Sequence, residues 1–360
     1  MEKLLSIIIP TYNMEKYLHK CLDSLIVSDE NMQKLEILVI NDGSKDLSSK
    51  IAHEYESKYP QTFRVIDKEN GNYGSCINRG LKEATGKYIK VLDADDYFNN
   101  KIFNKFMNYL DNQDVDLVIN DYQIVDEQDV VNETYSFRLP INNSFTLFDC
   151  PDSLAEWLWH HGITYRLAIL REMSYKQTES ISYTDDEWIF KPMKVVKSVS
   201  YFPEIVYCYL RGRVGQTFDD NVLKKSMGQK LQVAESMLEY YIEHITDQSD
   251  NFPPYLYQKL TDRISVLYNF IITKFSTDEE NDRLKKLDQW IETKIPMLYR
   301  DLGEKKNRLG YSFIYNWRRK GYKRNRMSFL CYKFYSILLV LLHKGDNVPR
   351  MPIELKRDSN

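Results

Sequence analysis

The sequence predicts an α/β fold: a mostly parallel sheet between layers of helices, followed by a C-terminal helical region. Three observations carry this. Short apolar runs at 4–9, 35–40, 62–66, 87–92 and 115–119 have the length and near-continuous hydrophobicity of strands buried on both faces. Amphipathic stretches stand between the early runs; in 13–28, Met14, Tyr17, Leu18, Cys21, Leu22 and Leu25 recur at spacings of three and four, which places them on one helix face. Between about 221 and 300 two long stretches keep a period near 3.6, with "DNFPPY" as the break.

Taken in order, "LLSIII" is a first strand, since its apolar run is too short for a signal peptide and soon turns polar. Asn13 stands where the N-cap of the first helix belongs, and Ser44 where that of the next one does, after the strand "LEILVI". "TFRVI" is the third strand. "GSCINRGLKEATG" is a helix that starts and ends on glycine, and "KYIKVL" and "VDLVI" complete the run of strands. This β-α-β rhythm calls for a parallel sheet, whose ligands sit at the carboxyl ends of its strands. From about residue 130 the rhythm loosens into irregular structure or short antiparallel strands. "SLAEWLWHHGI" is then a short helix, "ISYTDDEWIFKPMKVV" leads into another, and "VSYFPEIVYCYL" is a strand ahead of a basic loop. The resulting division is 1–218, 219–303 and 304–360.

Composition sets bounds. With 360 residues, 43% hydrophobic and 28% charged, the chain is globular, and a net charge of −3 argues against a nucleic-acid coat. Cys21, Cys76, Cys150, Cys208 and Cys331 form no CxxC pair; this disfavours a zinc site and points to reduced thiols in a cytosolic protein. No window holds the roughly 18 consecutive apolar residues of a membrane span.

Polar residues gather behind the strands: "PTYN" after the first, "NDGSKD" after the second, "DADD" after the fourth. Asp93, Asp95 and Asp96 end an apolar strand at the ligand edge, where carboxylates can take a hard cation such as Mg2+ or Mn2+ shared with phosphate oxygens. The glycine-rich signatures GxGxxG and GxxxxGK[ST] are missing, which makes both common nucleotide folds weak candidates. Asp42 could accept from a base imide, with Thr11 and Tyr12 lining the base pocket; alternatively Asp42–Gly43 is only a turn. His160–His161 is set aside as a metal site, because adjacent histidines diverge on a helix.

The blocks "SIIIPTYN", "LEILVINDGSKD" and "ENGNYGSCINRGLKEATGKYIKVLDADD", in this order, closely resemble the inverting glycosyltransferases of family 2, over about the first 120 residues and again near 183–217. The resemblance implies a GT-A fold, an αβα sandwich that binds a nucleotide-sugar through residues 1–120 and an acceptor through 121–218. It implies that Pro10, Thr11, Tyr12, Asn13, Asp42 and Ser44 bind the nucleotide. Asn70 and Asn78 would contact diphosphate and ribose, Asp93 and Ala94 the ribose or sugar, and Asp95 with Asp93 the metal. Ile77 stands where many relatives carry arginine, with Arg79 just after. The family draws its base from a downstream acidic pair before an aromatic, which "SYTDDEWIF" matches. Asp185, three before Trp188, has the spacing of the base and Asp186 is the alternative; acids at a helix N-terminus also suit its dipole. Arg211 and Arg213 would close over the diphosphate, since guanidinium pairs phosphate through parallel hydrogen bonds.

From Lys305 onward, ten basic residues up to Lys333 interleave with aromatics ahead of "SILLVLL". This reads as an interfacial membrane anchor, with nucleic acid or a partner protein as the competing accounts. The combined expectation is a metal-dependent enzyme using a nucleoside-diphosphate sugar, most simply a UDP-sugar. It would act at the cytoplasmic face of the cell membrane on a polyprenyl-diphosphate-linked saccharide in cell-surface polysaccharide synthesis, without nucleic acid. A catalytically inactive nucleotide-binding scaffold is the alternative.

Overall fold

The computed structural model describes residues 2–141, 143–213, 224–245, 252–273, 277–306 and 310–323. The chain divides into two compact units between Gln216 and Thr217.

In the first unit, β1 (Leu5–Thr11), α1 (Glu15–Asp23), α2 (Asp29–Lys34), β2 (Leu35–Asn41), α3 (Ser48–Lys58), β3 (Phe63–Asp67), α4 (Asn72–Glu83) and β4 (Tyr88–Val91) follow one another. Then come β5 (Tyr97–Phe98), α5 (Asn100–Asp111), β6 (Leu117–Val125), β7 (Val131–Tyr135), α6 (Ser153–Trp157), β8 (Ile163–Arg166), α7 (Leu167–Glu172), α8 (Asp185–Trp188) and β9 (Val199–Leu210). The sheet runs β3-β2-β1-β4-β8-β6-β9-β5, with β7 on β6. Every residue of β2 is buried, as a central strand covered on both faces requires. The parallel expectation holds for β3-β2-β1-β4 and for β6 beside β9. β8 enters antiparallel between β4 and β6, so the run at 115–119 is not β4's neighbour but one strand removed. The strand order reverses direction between β1 and β4, the switch point at which the loops behind the strands diverge and leave a crevice. Register pairs Thr11 with Asn41 and Ile8 with Val91, so the chain leaves β1, β2 and β4 at one edge.

Two caps differ from expectation. Asn13 has φ 53°, a left-handed turn that asparagine tolerates, and its Oδ1 accepts from Lys45 N (2.8 Å). Met14 takes the N-cap position of α1, and its N–H donates to Ser48 Oγ (2.7 Å). Ser44 accepts from Asn13 N (3.1 Å), while Leu47 precedes α3. Both predicted caps thus cross-link the loops behind β1 and β2.

The second unit is helical: Met227–His244, Pro254–Thr273, Asp278–Lys294, Pro296–Glu304 and Phe313–Arg319. Leu260, Ile264, Tyr268, Leu284, Ile291 and Trp317 are buried. Arg318 pairs with the fully buried Asp288 (2.6 Å) and donates to Tyr299 O (2.7 Å). Trp317 and Arg318, assigned to the basic aromatic tail, are therefore used in packing the helical unit. The tail from Arg324 onward, with Lys333, Cys331 and "SILLVLL", lies outside the described residues. Among the described residues no helix is long and apolar enough to cross a membrane.

Close packing of α4 on β1 depends on Gly80, where a Cβ would stand 2.6 Å from Ile8 Cδ1. Gly80→Ala is expected to lower stability by about 1–3 kcal/mol, the usual cost of overpacking, read as a fall in unfolding midpoint. An unchanged midpoint would show that the helix can lift at no cost.

Candidate active site

The turn behind β4 solves a crowding problem. Asp96 N donates to Asp93 O (2.9 Å), so the three carboxylates of 93–96 stand within one turn, and each has a different partner. Asp93 accepts from the Tyr73 hydroxyl (3.0 Å) and lies 3.3 Å from His160 Nε2. Asp95 accepts from Arg213 Nε (2.5 Å), with both side chains largely buried. Asp96 is buried and accepts from the Tyr207 hydroxyl (2.6 Å) and from Leu210 N (2.8 Å).

Their electrostatics differ accordingly. Burial works against the Asp93 charge, but His160 outweighs it and the pKa falls below the usual carboxylate value. For Asp95 burial wins over Arg213 and the pKa rises. Burial, with Asp95 and Asp93 nearby, drives Asp96 well up. Burial disfavours the His160 imidazolium, yet Asp93 and then Asp185 raise its pKa. His161 is driven well down by burial and by its neighbour.

The histidines lie on a 3-10 turn, His160–Gly162, and not on an α-helix. Their rings are 4.0 Å apart instead of diverging, which corrects the expectation from sequence. Lys90, in the middle of β4, is fully buried. Its amine, with a pKa driven well down by burial, donates to Asn120 Oδ1 (2.9 Å), His161 O (2.9 Å) and Ile163 O (3.1 Å). It fixes the histidine turn to the strand that ends in Asp93.

The segment before Asp185 is tied down from both sides. Asn78 Nδ2 donates to Gln177 O (2.9 Å) and Glu179 Oε1 (2.8 Å), and its Oδ1 accepts from Gln177 N (2.9 Å). These bonds place Asn78 in the fold of this segment, where sequence reading had it on the diphosphate. A Cβ on Gly74 would stand 2.0 Å from Thr178 O, so α4 and this segment touch backbone to backbone. Glu187, fully buried, accepts from Thr178 N (2.7 Å) and Lys191 Nζ (2.7 Å). One acid of "TDDE" is thus structural. Asp185 and Asp186 are half-buried at the start of α8. Asp185 is close enough to add to the burial and Asp93 charge that push the Tyr73 phenol well up.

Asp42, buried behind β2, pairs with Lys68 (2.5 Å), and its Oδ1 also accepts from Gly71 N (2.9 Å). Asn70 Nδ2 donates to Asp42 O (2.9 Å), and Asp42 N donates to Thr11 O (2.8 Å). Thr11 and Ala94 are buried, Pro10 and Ser44 half-buried, and Tyr12 and Asn13 exposed. Arg211 is 3.9 Å from Glu133. The turn behind β4 therefore collects Asp93, Asp95, Arg213 and the neighbourhood of Asp185, and the loops behind β1 and β2 collect Thr11, Asn13, Asp42, Ser44 and Asn70.

Sequence reading missed Lys68, Tyr73, His160, Glu187 and Tyr207. Lys68 was within reach, because it follows the third strand just as Asp42 follows the second.

Comparison with known proteins adds to this geometry. The model of "Glycosyl transferase family 2" matches residues 6–174. An uncharacterized glycosyltransferase of Rickettsia typhi is 31% identical over 255 residues, 68% of this chain and 73% of that one. The minor teichoic acid biosynthesis protein GgaB of Bacillus subtilis is 36% identical over 115 residues, 31% of this chain and 13% of its own. The chain spans about a third of the length of uncharacterized glycosyltransferases of Mycoplasma genitalium (35%) and Bacillus subtilis (33%). Residues 1–349 of TarS from S. aureus, solved in complex with UDP-GlcNAc, superpose with a TM-score of 0.66 at 19% identity, covering 92% of this chain and 91% of that one. The likeness establishes the GT-A-type fold.

If Asn78 holds the fold and not the nucleotide, Asn78→Ala lowers stability by about 1–3 kcal/mol while UDP affinity stays within about threefold. Calorimetric unfolding and titration with UDP read the two effects. A tenfold loss of UDP affinity at unchanged stability would return Asn78 to the ligand.

Proposed function

The chain belongs to glycosyl transferase family 2, and from that premise we propose that it transfers a sugar from a UDP-sugar to a hydroxyl of a polyprenyl-diphosphate-linked saccharide, with inversion. The observation that carries this is the convergence of Asp93, Asp95, Arg213 and the Asp185 segment at one turn behind the sheet. The solved TarS complex with UDP-GlcNAc supports a UDP-linked donor, and the GgaB likeness supports a cell-surface polymer as destination.

In this reading the base lies against Asp42 and Thr11, and Arg213 turns to the diphosphate. Asp185 takes the proton of the acceptor hydroxyl as its oxygen attacks the anomeric carbon from the face opposite UDP. The bond from that carbon to the diphosphate oxygen breaks, and UDP departs with the electron pair. The residues fit a divalent cation, Mg2+ or Mn2+, at the Asp93–Asp95 turn: carboxylates cluster there and Asp93 is a quarter exposed (26%). Such an ion would supply positive charge against the leaving diphosphate. Burial makes Arg213 a stronger partner for phosphate than a solvated cation. The basic residues after 323 would hold the enzyme at the inner face of the membrane, where its acceptor resides.

A panel of UDP-sugars with lipid-linked saccharides, read by mass spectrometry, should yield one product. Asp185→Asn should keep UDP affinity and lower turnover by about 10²–10⁴-fold, the worth of a positioned base. Full turnover in Asp185→Asn with loss in Asp186→Asn would move the base to Asp186.

A further inference from the structure

Beside the carboxylate turn the sheet carries a row of aromatic rings that the proposed reaction does not use. The strand register sets them on one face. Tyr207 pairs with Tyr122 and Tyr122 with Tyr135; one step outward, Tyr209 pairs with Ile124 and Ile124 with Glu133. Residues in register across strands, or two apart along them, share a face. The His160–Gly162 turn lies against this face: the His161 ring is 4.7 Å from Tyr207, 4.6 Å from Tyr209 and 5.1 Å from Tyr122. Tyr122 stacks on Tyr135 (4.7 Å, 10° between planes), and Tyr135 meets Trp157 (5.7 Å).

Inner and outer members of the row differ. Tyr207, Tyr122 and His161 are buried. Burial, with His160 and Lys90 nearby, keeps the His161 imidazole neutral, so it serves the row as one more ring. Tyr209, Tyr135 and Trp157 are only half-buried. They are held in place: the Tyr122 hydroxyl donates to Trp157 O (2.8 Å), and that of Tyr135 donates to Glu133 Oε2 (2.5 Å). Charges stand at the same rim. Arg211, with 46% of its side chain exposed, lies 3.9 Å from Glu133, close enough to attract but too far for a hydrogen bond. Partly open aromatic rings beside a guanidinium and a carboxylate suit a ligand with an apolar face and a polar edge.

A pyranose has that shape. Its axial C–H bonds form a flat apolar face, and its hydroxyls project around the edge; an open-chain polyol presents no such face. We propose that Tyr209, Tyr135 and Trp157, with Glu133 and Arg211 at the rim, hold a pyranose ring of the acceptor, so that the enzyme selects a cyclic sugar over an open-chain polyol. A ring hydroxyl that accepts from Arg211 and donates to Glu133 satisfies both. The row begins at His160, which is 3.3 Å from Asp93 and within reach of the Asp185 charge, so a ring held on it has the candidate base at one end. Arg211 thereby serves the acceptor, where sequence reading had it on the diphosphate. The acceptor role rests on the transferase reading above, whereas the pyranose site itself does not.

The test is saturation-transfer NMR on the full chain with excess UDP, which fills the donor pocket. The probes are methyl β-glucoside, methyl β-galactoside and methyl N-acetyl-β-glucosaminide, with ribitol as the open-chain control. At least one glycoside should take up saturation, most strongly at the axial protons of one ring face, and ribitol should take up none. This readout needs no variant, so it stands even where a substitution fails to fold. Trp157→Ala and Tyr135→Ala should each weaken the glycoside by about tenfold, while Trp157→Phe, which keeps a ring, stays within about threefold. Arg211→Gln should weaken the glycoside and leave UDP affinity within about threefold. Saturation of ribitol equal to that of the glycosides, or glycoside binding unmoved by both alanine variants, overturns the site. So does the absence of saturation in every glycoside while UDP still binds, an outcome that leaves the donor reading intact. A saturated glycoside in a chain that does not bind UDP supports the site and removes the donor reading.

Discussion

The molecule depends on how it places three carboxylates in four residues at the end of a buried strand. Unpaired, Asp93, Asp95 and Asp96 would repel one another in a low dielectric. Removing one partner from a buried ion pair typically costs about 3–5 kcal/mol, a large part of the stability of an ordinary domain. The fold answers with partners drawn from four places: Tyr73 from α4, His160 from the turn before β8, Tyr207 from β9, and Arg213 just beyond it. Elements far apart in sequence are thereby required to meet at this turn. The same charge that makes the turn costly alone makes it suited to a diphosphate with its counter-ion.

The partners fix geometry as well as charge. Lys90 sits in the strand that delivers Asp93 and grips the backbone that delivers His160 and His161. Its amine satisfies three acceptors at once, Asn120 Oδ1, His161 O and Ile163 O, although burial pushes its pKa well down. α4 plays a similar part on the other side: it offers Tyr73 to Asp93 at its start, and Gly74 and Asn78 press and bond to the segment that leads to Asp185. A structure of this kind holds acid and base residues at set separations before any substrate arrives, which is what preorganised catalysis requires.

Much of this was legible in the sequence, for physical reasons. Buried parallel strands must be near-continuously apolar, so β1, β2, β3 and β4 stand out, and the rule that ligands gather behind such strands leads to Asp42 and Asp93–Asp96. The long-range partners were not legible. Nothing in "YCYL" says that Tyr207 meets Asp96, because a strand's alternation fixes its face and not its neighbour. The histidine pair was dismissed on helical geometry, and a 3-10 turn defeats that argument by bringing adjacent rings together. Asn13 and Ser44 looked like caps because polar residues ahead of a helix usually are; here each bonds across to the other's loop. The antiparallel entry of β8 left no periodic mark, since four residues are too few to show one. Two residues of the basic tail, Trp317 and Arg318, illustrate the limit of composition: a buried acid, Asp288, claims the arginine.

The central claim is that the turn behind β4 receives the diphosphate of a sugar nucleotide. A crystal structure with UDP and Mn2+ tests it most directly. The account predicts the uracil against Asp42 and Thr11, and the diphosphate beside Asp93 with Arg213 drawn onto it. Nucleotide bound elsewhere, with Arg213 still on Asp95 and no density at the turn, would contradict it.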